Sequence, residues 1–129
     1  MFNNEFCKVE YIEDANVVYL AWKKYSSGEN YRKPTNYALD LLRQHLNSNF
    51  MIDARNGFED DKEDVKWGFN ELLPSMGKTT CKYCIMIMNK ANVIAEEMDM
   101  WTKEFMKYFE VIHTTSYEEA MSRLKEEIG

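Results

Sequence analysis

The feature that most constrains this chain is a rhythm of short apolar runs, each too brief for a helix, separated by single stretches with helical periodicity. Phe50-Met51-Ile52, Cys81 to Met88 and Val111-Ile112-His113 are the runs; apolar segments of this length bounded by turn residues read as buried strands. Val65, Phe69, Leu72, Leu73 and Met76 lie between the first two, and Ile94, Met98, Trp101, Phe105 and Phe109 between the last two. Both sets recur at intervals of three or four, which marks one face of a helix. Strands that alternate with single helices are joined by right-handed crossovers and run parallel. The pattern therefore predicts an α/β fold.

The N-terminal part differs. Alternating apolar residues flank Glu13-Asp14-Ala15-Asn16, with Phe6, Cys7, Val9, Tyr11 and Ile12 before it and Val17 to Trp22 after it, the mark of a hairpin. A helical stripe follows at Tyr31, Ala38, Leu41, Leu42 and Leu46. Pro34 belongs in its first turn, so that helix is expected to begin no earlier than about Asn30. Glu59-Asp60-Asp61-Lys62-Glu63-Asp64 opens the second helix as an acidic, solvated start that complements the helix dipole, and Pro74 is expected to kink or end it near Leu72. Ser116 and Glu119 form a capping box for a last helix with Tyr117, Ala120, Met121, Leu124 and Ile128 on its apolar face. The order is β-β-α-β-α-β-α-β-α in a mixed sheet, with strand exits at Lys24 to Gly28, Asp53 to Gly57 and Asn89 to Asn92 brought to one edge.

With 129 residues, 45% of them hydrophobic, one domain over 1–129 is expected. A net charge of −6 argues against extended contact with nucleic acid or anionic lipid. No apolar run approaches the roughly 20 residues of a membrane span, and the N-terminus lacks a signal-peptide pattern. Cys7, Cys81 and Cys84 are too few and odd in number for a disulfide framework. A cytoplasmic protein is the expectation.

The hairpin, Trp22 and Tyr25 ahead of Gly28-Glu29-Asn30-Tyr31-Arg32, the strand ending in Asp53, Trp67, and the closing Thr115-Ser116-Tyr117-Glu118-Glu119-Ala120 together resemble the STAS family, the domain of bacterial anti-sigma factor antagonists. The likeness is to its SpoIIAA-like branch of small stand-alone proteins and covers nearly the whole chain. It implies a regulatory or binding domain without chemistry of its own. In signalling members a Ser or Thr after the strand-ending Asp is phosphorylated. Here Ala54-Arg55-Asn56 fills the space between Asp53 and Gly57 and offers no hydroxyl, so a phosphorylation switch is not expected.

The candidate binding residues gather at the strand exits. Asp53, Arg55, Asn56 and Gly57 form a polar cluster suited to an anion or a partner loop, against which stands ordinary turn chemistry with Arg55 pairing nearby acids. Ser26, Ser27 and Arg32 come to the same edge, where a helix N-terminus favours an anion, and Asn89 ends the next strand. Cys81 and Cys84 have a redox spacing, but three positions apart in a strand they point to opposite faces roughly 10 Å apart, beyond bridging distance. No second Cys/His pair completes a zinc site, so neither a metal nor a cofactor is expected. Gly77-Lys78-Thr79 lacks the strand-before, helix-after context of a phosphate loop. The acidic run lacks the ligand pattern of a calcium loop. The Met and aromatic stripe of the Ile94 helix is read as core, and His113 as a structural or surface residue.

These observations favour a non-enzymatic domain that binds a protein partner or small ligand at the strand exits. The alternative is a small carrier of lipid or another apolar ligand, because distant relatives of the STAS architecture are grouped with lipid-transfer domains. An enzyme using Asp53 with Arg55 or His113 is the third choice. The hairpin edge offers a surface on which two copies can pair.

Overall fold

A computed structural model describes residues 1–89 and 94–128. Lys90, Ala91 and Asn92 of the expected exit loop lie outside the described residues. The hairpin consists of β2 (Cys7–Ile12) and β3 (Val17–Trp22), paired antiparallel from Cys7 opposite Trp22 to Ile12 opposite Val17. Its turn is a 3-10 segment, Glu13–Ala15, closed by Asn16 at φ 50°. Asn tolerates this left-handed backbone, and its Oδ1 accepts a hydrogen bond from the Tyr11 hydroxyl at 2.7 Å. A short β1 (Phe2–Asn3) pairs with Val9 and Lys8, so part of the hairpin edge is covered by the chain itself.

Three parallel strands continue the sheet: β4 (Asn49–Asp53), β5 (Tyr83–Ile87) and β6 (Glu110–Thr114). The spatial order is β1-β2-β3-β4-β5-β6, a six-stranded mixed sheet; the α/β class agrees with the expectation, while β1 adds a strand to the five expected. All five residues of β5 are buried, which follows from its central position with both faces covered. Buried Asn49 fixes the start of β5: its Oδ1 accepts the backbone N–H groups of Tyr83 at 2.9 Å and Lys82 at 3.2 Å.

Strand pleating divides the core in two. Val18, Leu20, Phe50, Cys84 and Met86 face α1 (Glu29–Gln44), the Lys62–Met76 helical stretch and α4 (Ala95–Phe105). Val17, Met51, Ile85, Ile87 and Ile112 face the other way, where Ala120 and Leu124 of α5 (Tyr117–Ile128) cover them.

Both prolines sit deeper in helices than expected. Helix α1 begins at Glu29 and Pro34 falls beyond its first turn. Next to it, the Thr35 hydroxyl donates to the carbonyls of Tyr31 and Arg32, both at 3.0 Å. Pro74 does not end the second helix near Leu72. The chain passes from α2 (Lys62–Trp67) through a π-helical turn, Gly68–Leu72, into α3 (Leu73–Met76), and the Leu73 N–H donates to the Gly68 carbonyl. The wider turn shifts the backbone where a regular ladder would meet the pyrrolidine ring, so the helix continues. Gly68 also allows the close approach of α4, since a Cβ there would lie 2.7 Å from Cη2 of Trp101.

Candidate functional site

Asp53 ends β4 on the α5 face. Its carboxylate accepts Nε of Arg55 at 2.9 Å, Nη2 at 2.6 Å and the Tyr19 hydroxyl at 2.8 Å, and the Arg55 N–H at 3.2 Å. Burial opposes the charge, but the bonds from Arg55 and Tyr19 outweigh it and hold the carboxyl below its ordinary range. The same contacts raise Arg55; burial and then Asp53 raise Tyr19. Asn89 continues the arrangement by donating from Nδ2 to the Arg55 carbonyl at 2.8 Å. Asp53, Arg55 and Asn89 thus form an internally bonded strand-end brace. Asn56 is exposed beside it.

The expected anion site at the start of α1 is filled by the protein's own carboxylate. Asp64, 1% exposed, accepts the Gly28 N–H at 3.0 Å and Nε of Arg32 at 3.1 Å. Ser26 is buried and donates to the Lys24 carbonyl, while the Ser27 carbonyl accepts the Asn30 N–H. One member of the acidic run therefore leaves solvent to tie α2 to the N-terminus of α1. Asp61 instead caps α2, accepting from the Glu63 N–H at 2.9 Å.

On the opposite side of the sheet from Asp53 lies a cavity of about 70 Å³. Ile52, Ala54, Met86, Leu72, Met98 and Phe105 contribute to its apolar lining. Trp22, Tyr31, Phe58 and Trp101 add aromatic walls, and Trp22 and Tyr31 stack with centroids 5.1 Å apart and 4° between their planes. Asp60 and Glu97 are its charged lining residues. Glu97 Oε2 accepts Nε1 of Trp101 at 2.8 Å and the Asp60 N–H at 3.2 Å. Burial first, and then the charge of Glu97, push the Asp60 carboxyl up to about 7. Burial raises the Tyr31 hydroxyl well above its usual range, with Asp60 adding to the effect.

No family model, curated protein or solved structure matches the chain.

Gly57 is the member of the expected binding set that lines this cavity; a Cβ there would stand 2.9 Å from the Ala54 carbonyl oxygen. Tyr31, Asp60, Glu97 and Trp101 were not singled out as a site from sequence. Tyr31 and Trp101 occupied core stripes, while Asp60 stood in what read as a solvated acidic run.

The other motifs are structural. Cys81 precedes β5, so the alternation of a strand does not govern it, contrary to the expectation that the pair points to opposite faces. Cys81 and Cys84 are both buried in the same apolar cluster as Cys7, and all three are free thiols. Burial pushes Cys7 and Cys81 up to about 12 and raises Cys84 as well, which suppresses thiolate formation near neutrality. His45 stacks on Tyr11 with centroids 3.5 Å apart. Nε2 of His113 lies 3.0 Å from Oγ1 of Thr102, and its neighbour across the strands, Met86, belongs to the helix-rich face. Asp53 and His113 consequently lie on opposite faces of the sheet. Among the described residues, no group of His, Cys, Asp and Glu is placed to hold a metal ion, and no helix is long and apolar enough to cross a membrane.

Proposed function

We propose that this chain is a STAS-like binding domain that holds a small apolar ligand in the cavity between the sheet and α1, the Lys62–Met76 stretch and α4. The succession of a hairpin and alternating helices and strands supports the family likeness. Binding is carried by one observation: an apolar, aromatic-lined cavity beside the strand exits, with its polar groups gathered at Asp60, Tyr31, Glu97 and Trp101. This combines the expected location with the apolar carrier alternative.

Titration with octan-1-ol, followed by tryptophan fluorescence, tests the proposal because Trp22 and Trp101 line the cavity. A saturable spectral change is expected in the wild type. Ala54→Leu, which extends a lining side chain into the cavity, is expected to abolish it while retaining a cooperative thermal transition. An equal response from the folded variant, or no saturable response from the wild type, refutes this site.

A further inference from the structure

We infer that the ligand carries a cationic head on its apolar body, an ammonium group held by Asp60 and Glu97 and flanked by aromatic rings. This rests on the cavity reading above and adds the chemistry of its occupant. Three observations carry it. First, the charged lining residues are both acids, and no basic side chain among the described residues forms an ion pair with either. Arg32, the basic residue nearby on α1, is committed to Asp64 at 3.1 Å, with its guanidinium 5.2 Å from the Trp67 ring centroid.

Second, the donors are already used in a manner that disfavours an anion. The Trp101 indole and the Asp60 N–H both serve Glu97 Oε2. A carboxylate entering here would meet two like charges and compete for committed donors. Third, the stacked Trp22 and Tyr31 rings, with Phe58 nearly perpendicular to Trp22 at 5.4 Å between centroids, supply electron-rich walls. Aromatic faces attract a desolvated ammonium group and also accommodate its apolar substituents.

The groups facing Asp60 are Tyr31 from α1, Asp64 from α2, and Glu97 and Trp101 from α4. A bound ammonium offsets the charge of Glu97 beside Asp60 and favours the ionised form of Asp60. Amine binding is consequently expected to strengthen as pH rises from 6 to 8, while alcohol binding changes little.

Octylamine, octan-1-ol and octanoate share an apolar tail and separate the contribution of the head. Calorimetric titration at pH 8 is expected to show octylamine binding about tenfold tighter than octan-1-ol, with octanoate weakest, a difference typical of a charge-assisted contact. In the combined D60N and E97Q variant, octylamine is expected to lose its advantage over octan-1-ol. Equal or tighter binding of octanoate or octan-1-ol by the wild type overturns the cationic head, as does amine selectivity that survives in the variant. Failure of all three compounds to bind overturns the cavity reading and the head inference with it.

Discussion

Replacing Asp60 by Asn is expected to stabilise the folded protein, and by an amount that depends on pH. Asp60 has its carboxyl raised from 3.8 to about 7, chiefly by burial and then by Glu97. Between these values the unfolded chain releases the proton while the folded chain keeps it. Wild-type stability therefore declines as pH rises through that window, and the penalty becomes constant above about 7. The gap of about three units, at 1.36 kcal/mol each, sets a ceiling of about 4 kcal/mol. Solvent reaches this half-buried group, and screening reduces the expected effect to about 2 kcal/mol. An amide has nearly the carboxyl's shape and does not ionise. Urea unfolding of the wild type and Asp60→Asn at pH 4, 5, 6, 7 and 8 measures the difference. It should change by about 2 kcal/mol in favour of the variant between pH 4 and 7 and then level off. A difference independent of pH, or one that moves toward the wild type with rising pH, refutes the reasoning.

Asp64→Ala is expected to cost about 3 kcal/mol in denaturant unfolding, because it strips the Gly28 N–H and Arg32 of a buried partner. Gly68→Ala forces a Cβ to within 2.7 Å of Trp101 and should lower stability by about 1 to 3 kcal/mol, with a visible shift in tryptophan emission. Asn49→Ala leaves the N–H groups of Lys82 and Tyr83 without their side-chain acceptor, and a loss of about 2 kcal/mol is expected, with faster amide exchange at both positions.

The strands were legible because burial on both faces of a parallel sheet demands uninterrupted apolar runs, as in Tyr83–Ile87. The α4 stripe was legible for a similar reason: Met98, Trp101 and Phe105 recur on one face and are buried there. The path of the second helix was less legible, since the proline rule presumes a regular ladder and the π turn at Gly68–Leu72 departs from it. Charge patterning failed for Asp64 because solvated and buried acids look identical in a run; the difference lies in Gly28 and Arg32, far away in sequence. Asp53 was correctly placed at a strand exit, but its bonds to Tyr19 and Arg55 depend on neighbours brought together by folding. The cavity was hidden for a deeper reason. A void is the mismatch among side chains from several elements, and no local periodicity encodes it.

The lopsided covering of the sheet has a consequence for the growing chain. Three helical stretches cover one face before β6 is complete, whereas Ala120 and Leu124 of α5 cover Val17, Met51, Ile85, Ile87 and Ile112 on the other. A polypeptide stopped before Tyr117 would carry a finished face and a bare one. Its bare side would offer an apolar strip to any neighbouring nascent chain. Until residues 117–128 dock, the sheet is assembled but one of its apolar faces stays open.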